Sequence, residues 1–342
     1  MLNGILVNIS AGAMALGAVA LAARFDGGPV GAGVYGPEIY SASYRARDEQ
    51  PHQNWTITAE LADLMEMESV LAPFLAARLD ASHYTLDRVI AGENQVPRLF
   101  LPKLPVKLKD VPDTDARKSL FLRTVLPLVL QSNREILADR HRLLAVRKLI
   151  DAGKTPATSE IIWLEQLAAA YKTPPDDLEQ LARRVDVVPV ALALAQAVEE
   201  SGWGSSRFAR LGNAIFGQYT TVDDHGIIPK QAGADPDFKI KAFPDLLSGI
   251  RSYMRNLNTH QAYAELRQKR AEIRAAGRRP VGRALAVTLT GYSERGVEYV
   301  KTLHLIIDAN DLSELEKKAR LADPAPVSDI AVTPQVLAGL RK

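Results

Sequence analysis

Residues 191–204 read Ala191-Leu-Ala-Leu-Ala-Gln-Ala-Val-Glu-Glu-Ser-Gly-Trp-Gly204. The run predicts a helix, because Pro189 suits a first helical turn and Gly202 and Gly204 suit the left-handed position just past the end. Apolar side chains occur on every face of this helix rather than in one stripe. That pattern predicts a helix buried in the middle of a domain.

Glu200 lies at the carboxyl end of this predicted helix. Desolvation and the negative end of the helix dipole both disfavour the ionised form of its carboxyl group. A carboxyl group that stays protonated near neutral pH is what a general acid needs to protonate a glycosidic oxygen. Trp203 offers a flat apolar face that can pack on a sugar ring. Glu199 points about 100° away around the helix and is interpreted as an exposed or structural carboxylate.

Further motifs surround this helix in a fixed order. Upstream are Val96-Pro-Arg-Leu-Phe-Leu-Pro102 and Leu126-Pro-Leu-Val-Leu130. Downstream are Ser206-Arg-Phe-Ala-Arg-Leu-Gly-Asn-Ala-Ile-Phe-Gly217, Phe243-Pro-Asp-Leu-Leu-Ser-Gly-Ile-Arg-Ser-Tyr-Met-Arg-Asn-Leu-Asn-Thr-His260 and Leu289-Thr-Gly-Tyr-Ser-Glu-Arg-Gly-Val-Glu-Tyr-Val300. Together they resemble the Bax-like glucosaminidases of glycoside hydrolase family 73, over roughly residues 96–310.

The resemblance implies a peptidoglycan hydrolase, an endo-β-N-acetylglucosaminidase that cleaves β-1,4 bonds of murein glycan strands with Glu200 as proton donor. It also implies that Trp203 lines the sugar cleft and that Phe216 lies in the turn that faces it. Tyr292 and Tyr299 match tyrosines that such domains place opposite the glutamate. A phenol can hydrogen-bond a substrate hydroxyl or N-acetyl group while its ring packs on the sugar. Ordinary core packing is the alternative for these aromatic residues.

A second catalytic group is not identified by the sequence. Inverting hydrolases hold two carboxyl groups about 6.5–9.5 Å apart and retaining ones about 5–5.5 Å, a distance that one sequence does not determine. Asp224 and Glu294 are the candidates, with Asp223, Asp235 and Asp237 nearby in the same polar stretch as Asp224. Each also fits a solvated loop charge. Substrate assistance by an N-acetyl carbonyl would remove the need for a second acid.

Two other functions therefore stay open. A lytic transglycosylase also needs only one glutamate but leaves a 1,6-anhydromuramyl end. A non-catalytic murein-binding scaffold, tethered by its N-terminus, would need no acid at all.

Composition excludes several classes of protein. The chain has no cysteine, which excludes disulfides and thiolate metal sites. Its six histidines show no ligand spacing, so no metal or cofactor is predicted. The net charge of +2 over 342 residues indicates no nucleic-acid partner.

The N-terminal residues predict export. Residues 5–23 contain no charged side chain, which favours a signal peptide or membrane anchor over 1–23. Gly, Pro and polar residues over 24–55 predict a flexible tether. We expect a periplasmic protein, with membrane association through residues 5–23 if this segment is not cleaved.

The fold class predicted for the remaining chain is mainly α (α+β, lysozyme-like). A helical N-terminal region is expected over 56–185, and a glucosaminidase domain over 186–310 with a small β-lobe within 215–243. A charged, disordered tail is expected over 311–342. Within the long helical pattern of 114–152, Pro127 is expected to kink or divide the helix.

Overall fold

A computed structural model describes residues 83–105, 108, 111, 113–220, 226–227 and 239–323. The predicted signal peptide or anchor and the tether lie outside these residues, as does the first part of the helical N-terminal region. None of the helices in the described ranges has the length and apolar character needed to cross a membrane.

Helices dominate the described residues, which confirms the mainly α prediction. The α-helices are α1 Leu86–Ile90, α2 Thr114–Asp151, α3 Thr158–Ala170, α4 Leu178–Arg184, α5 Val190–Ser201, α6 Arg207–Gly212, α7 Leu246–Thr259, α8 Ala264–Ala275, α9 Gly282–Ala286, α10 Val297–Ala309 and α11 Leu312–Lys318. Short 3-10 turns occupy Gln261–Tyr263 and Val287–Leu289, and the strands are β1 Tyr219–Thr220, β2 Gly226–Ile227 and β3 Lys239–Lys241.

Helix α5 lies at the centre of the molecule, as its sequence predicts. Every side chain from Val190 to Val198 is buried, and the helix packs against α2, α9, α10 and α11. It ends at Gly202, whose φ of 56° is the left-handed conformation expected just past the helix. The burial of α5 on all sides fixes its last turn, which carries Glu200, relative to four other helices.

The amino end of α5 is held by a carboxylate from α11. Glu316 accepts hydrogen bonds from the backbone N–H groups of Ala191 and Gly282, at 2.9 and 3.1 Å. An anion is favoured at this position because it interacts with the positive end of the helix dipole. Gly282 must be a glycine, since a Cβ there would lie 2.5 Å from the backbone nitrogen of Leu192.

Helix α11 therefore belongs to the folded domain, which differs from the boundary predicted at residue 310. Leu312 and Leu315 are fully buried, and Leu321 bridges in parallel to Val96. Most residues of this segment are charged, and its apolar face is narrow. Its composition therefore suggests a disordered tail, whereas its buried leucines show that it packs on the domain.

Helix α2 continues through Pro127, so of the two effects expected at this residue, a kink or a division, the division is wrong. The helix is buried from Phe121 to Val129, apart from Arg123, and it packs there on α5 and α7. Tertiary packing on two helices stabilises its middle despite the hydrogen bond that a proline removes.

The loop before α5 is anchored by a buried cluster of charges. The Asp186 side chain is 3 % exposed, and Arg274 contacts its two oxygens at 2.5 and 2.6 Å. Arg270, fully buried, and Arg140 each approach it at 3.7 Å. Arg270 also donates to the carbonyl oxygens of Asp186 and Val187. These contacts hold the chain in place directly before α5 begins.

A small antiparallel sheet with strand order β1-β3-β2 confirms the predicted β-lobe. Ile240 in the middle strand is buried and pairs with Tyr219 on one side and Ile227 on the other. The sheet lies close to α6 at Gly212. A Cβ atom at this position would lie only 2.6 Å from the Ile227 side chain.

Candidate active site

Glu200 projects from the last turn of α5 and keeps part of its surface exposed. Its Oε1 accepts a 2.7 Å hydrogen bond from the Tyr299 hydroxyl of α10. Burial of the carboxyl group raises its pKa to about 8, and the Tyr299 hydrogen bond opposes this shift. At pH 7 the protonated form of such a group outnumbers the ionised form about tenfold. The side chain can therefore carry a proton and still meet a ligand.

Two neighbouring charges act on Glu200 in opposite directions. Glu199 raises its pKa and Arg295 lowers it, both less than burial does. Arg295 binds Glu199 at 2.5 Å and the Thr302 hydroxyl at 2.7 Å. Glu199 is thus an ion-paired structural carboxylate, one of the two roles expected from its position on the helix.

Four tyrosines surround the carboxyl group of Glu200. They are Tyr253, Tyr263, Tyr292 and Tyr299. Burial raises the pKa of each hydroxyl, and the negative charge of Glu200 raises it further. The rings of Tyr292 and Tyr299 are stacked at 5.3 Å, and Tyr263 lies 5.8 Å from Tyr292. The structure therefore brings Tyr292 and Tyr299 together at Glu200, and their contact with a substrate stays a prediction.

The sequence does not identify Tyr253 and Tyr263 as residues of the site. Tyr253 lies on the buried face of α7, and Tyr263 follows α7 in a 3-10 turn. An aromatic residue on the buried face of an amphipathic helix has the same pattern whether it packs in a core or faces a ligand. Only the tertiary fold, which brings Tyr253 to Gln196 of α5 and Tyr263 to Tyr292, shows that both lie near Glu200.

Phe216 takes a packing position in this structure. Its side chain is 3 % exposed, and its ring is stacked on Tyr253 at 3.7 Å and an angle of 3°. The core-packing alternative describes this arrangement, and the ring supports the tyrosine that contacts Gln196. Contact with a sugar stays a prediction that would require the ring to move.

Trp203 lies on the α2 side of Glu200 and is partly exposed. Its backbone has a φ of 57°, between Gly202 and Gly204, which are also left-handed. The ring meets Phe121 edge-on at 6.0 Å, with the Lys118 ammonium 5.5 Å from its centre. A Cβ at Gly204 would lie 3.0 Å or less from three apolar side chains, so the chain can turn here only with glycine. Sugar packing by Trp203 stays a prediction.

The candidates for a second acid are not brought together with Glu200 by any described contact. Glu294 is exposed in the loop that also supplies Tyr292 and Arg295. Asp224 lies outside the described residues, as do Asp223, Asp235 and Asp237. Within the described part of the chain, no three His, Asp or Glu side chains form a group suited to a metal ion.

This arrangement can support proton donation by Glu200 beside an aromatic wall, which is formed by the rings of Tyr263, Tyr292 and Tyr299. A protonated carboxyl group, partly exposed and oriented by a phenol, can protonate a leaving oxygen. The tyrosine rings provide apolar surface of the kind that packs on a sugar ring.

Comparison with known proteins identifies a family model and a relative that this chain resembles. Residues 175–312 match the glucosaminidase family model, described as mannosyl-glycoprotein endo-beta-N-acetylglucosaminidase. The chain is 32 % identical over 212 residues to Protein bax of Escherichia coli (strain K12), a match that covers 59 % of this chain and 73 % of that protein. No solved structure matches significantly. The matched range contains Glu200 and all four tyrosines around it.

Proposed function

This chain belongs to the Bax-like glucosaminidases, and from that premise we propose that it hydrolyses β-1,4 glycosidic bonds of murein glycan strands. It does so as an endo-β-N-acetylglucosaminidase with Glu200 as the general acid. One observation carries the proposal: the Glu200 carboxyl, whose pKa of about 8 keeps it protonated at neutral pH, is partly exposed and held by Tyr299. Glu199 does not compete for this role, because it is ion-paired with Arg295.

In the proposed reaction, Glu200 donates its proton to the glycosidic oxygen as the bond between that oxygen and the anomeric carbon breaks. Water then adds to the anomeric carbon, and the proton that it loses goes to Glu200 in a retaining reaction or to a second carboxylate in an inverting one. The positive charge that develops on the sugar ring needs a second group. A carboxylate such as Asp224 or Glu294 would serve, and so would the N-acetyl oxygen of the substrate itself. Tyr292 would contact the sugar beside Glu200, since its ring extends the aromatic wall next to Tyr299.

The products of murein digestion test this proposal. Purified murein is incubated with the full chain, and the released fragments are analysed by mass spectrometry. We expect fragments with reducing N-acetylglucosamine ends. Fragments with 1,6-anhydromuramyl ends would identify a lytic transglycosylase, which also needs only one acid. Binding to murein without release of fragments would favour a scaffold.

The pH dependence of hydrolysis follows from the pKa of Glu200. A general acid acts only while protonated, so kcat/KM should fall as the pH rises through about 8. In Tyr299→Phe, the ionised carboxylate loses a hydrogen-bond donor, which raises the pKa. We expect the midpoint of the alkaline decline to move upward by about one pH unit. Initial rates on dye-labelled murein between pH 5 and about 10 measure both midpoints.

The matched control for this experiment is Tyr84→Phe. Tyr84 is fully buried, yet its hydroxyl has no hydrogen-bond partner among the described residues. The alkaline midpoint of Tyr84→Phe should equal that of the unaltered protein. A midpoint that moves downward in Tyr299→Phe would contradict the assignment of Glu200 as the titrating acid.

We further propose that the protein acts in the periplasm, with residues 5–23 as an export signal or inner-membrane anchor. The absence of charge in this segment and the location of murein outside the cytoplasm support the proposal. Fractionation of cells that express the full chain separates a soluble periplasmic form from an anchored one. Recovery in the cytosol would contradict both.

A further inference from the structure

We infer that Gln196 is a positioning residue whose amide group determines the direction of the Tyr299 hydroxyl, so that the catalytic proton of Glu200 resides on Oε2. The inference rests on the proposed function, because it concerns the proton that Glu200 would donate. It adds Gln196 and Tyr253 to the residues on which the reaction depends, although neither needs to touch the substrate.

A continuous chain of hydrogen bonds leads to Glu200 through the core. The Tyr253 hydroxyl donates to Oε1 of Gln196 at 2.6 Å. Nε2 of Gln196 donates to the Tyr299 oxygen at 3.0 Å, and the Tyr299 hydroxyl donates to Oε1 of Glu200 at 2.7 Å. Gln196, Tyr253 and Tyr299 are 0, 1 and 2 % exposed, so water does not compete for these bonds. All three bonds run in the same direction, toward the carboxyl group.

The direction of this chain selects the oxygen that carries the proton. A phenol has one hydrogen to donate. Gln196 donates a hydrogen bond to the Tyr299 oxygen and so cannot accept the Tyr299 hydrogen with the same group. The hydrogen of Tyr299 therefore points to Glu200. Oε1 of Glu200 is then an acceptor in both protonation states. The proton of the neutral carboxyl group consequently sits on Oε2, the oxygen that Tyr299 does not contact.

Hydrogen bonds that run the opposite way, from Glu200 toward Tyr253, are disfavoured because of Tyr253. If Glu200 donated to Tyr299, Tyr299 would donate to Gln196, and the Gln196 amide would turn over and donate to Tyr253. The hydrogen of Tyr253 would then need a new acceptor, yet Gln196 is the only partner shown for its hydroxyl within the described residues. A buried donor without an acceptor is unfavourable, and Phe216 covers the ring of Tyr253. Tyr253 therefore favours the productive direction.

Other groups that face Glu200 do not replace this chain. They come from each element packed around it: Glu199 from α5, Tyr253 from α7, Tyr263 from the following 3-10 turn, Tyr292 and Arg295 from the loop before α10, and Tyr299 from α10. Among these groups, Tyr299 is the one that the structure shows hydrogen-bonded to the carboxyl group. A change in Gln196 should therefore reach Glu200 through Tyr299.

Two substitutions test the inference. Gln196→Met keeps the length of the side chain but removes its donor and acceptor, and Tyr253→Phe removes the terminal donor alone. In both variants a protonated Glu200 gains the option of donating to Tyr299, which stabilises the neutral form. We expect the alkaline midpoint of kcat/KM to move upward, in the direction of Tyr299→Phe, and kcat to fall about tenfold because the proton leaves Oε2 part of the time.

Direct titration provides a readout that does not depend on turnover. In protein labelled with 13C at Glu, the carboxyl resonance of Glu200 should titrate at higher pH in Tyr253→Phe than in the matched control Tyr84→Phe. If Gln196→Met does not fold, Tyr253→Phe decides alone, because it removes a single oxygen. A purely structural role would lower stability or kcat but leave the midpoint unchanged.

The outcomes separate this inference from the proposed function. An unchanged midpoint in Tyr253→Phe, with Glu200→Gln inactive, would overturn the role of Gln196 and leave Glu200 as the acid. Full activity of Glu200→Gln would overturn both. A raised midpoint together with an inactive Glu200→Gln supports both.

Discussion

Glu200→Gln is expected to abolish murein hydrolysis, with kcat reduced roughly 100- to 10,000-fold. The amide has nearly the shape of the protonated carboxyl group and can still accept the Tyr299 hydrogen bond. It has no acidic proton to give to the glycosidic oxygen. Binding to murein should therefore stay close to that of the unaltered protein. Fragment release and sedimentation with insoluble murein measure the two properties on the same preparation.

The matched control for this substitution is Glu298→Gln. Glu298 lies one residue before Tyr299 on α10, but its side chain is exposed and pairs with Lys301. Hydrolysis by this variant should stay unchanged. If Glu200→Gln retained hydrolysis, the general acid would have to be another residue. With either result, single substitutions are the way to find the remaining catalytic group. The residues to replace one at a time are Asp223, Asp224, Asp235, Asp237 and Glu294.

Asp186→Ala is expected to produce a large loss of stability, about 3–5 kcal/mol in the free energy of unfolding. The substitution leaves the guanidinium of Arg270 fully buried without its counter-ion, and Arg274 loses two short hydrogen bonds. The thermal midpoint should fall by about 10 °C. Since Asp186 lies directly before α5, hydrolysis near the midpoint temperature should fall as well.

Asp308→Ala is the appropriate comparison for this loss. Asp308 also accepts two hydrogen bonds from one arginine, Arg283, but both side chains are about half exposed. Exposed pairs contribute at most about 1 kcal/mol, so the midpoint of this variant should barely change. If Asp186→Ala lost no more stability than Asp308→Ala, the buried cluster would not be what anchors the start of α5.

The sequence predicts those residues of the candidate site that belong to a local pattern or a continuous motif. Glu200 was predicted because an apolar run and two glycines place it at the end of a buried helix. Tyr292 and Tyr299 followed from a motif shared with a family. The burial of Phe216 against Tyr253, in contrast, depends on where α7 crosses the turn that contains it. No local pattern distinguishes a ring that faces a ligand from one that faces another ring.

The outer limits of the domain show the same division. From its sequence, helix α11 resembles a charged tail, because Leu312 and Leu315 are its only two apolar residues among Ser, Glu and Lys. Its buried Glu316 is needed only because the amino end of α5 lies opposite, 125 residues earlier in the chain. Pro127 likewise suggests a break in α2 until the packing of that helix on α5 and α7 is known.

Short-range chemistry thus specified the central helix, its glycine stop and the position of Glu200 in the last turn, since propensity and periodicity act within a few residues. The burial that raises the pKa of Glu200 depends on the helices that pack around α5. The hydrogen-bond chain from Tyr253 through Gln196 and Tyr299 was decided by the fold alone. Its members come from three helices and lie 57 and 103 residues apart. Hydrogen bonds of this kind require oriented atoms within about 3 Å, and no spacing along one chain defines such an approach.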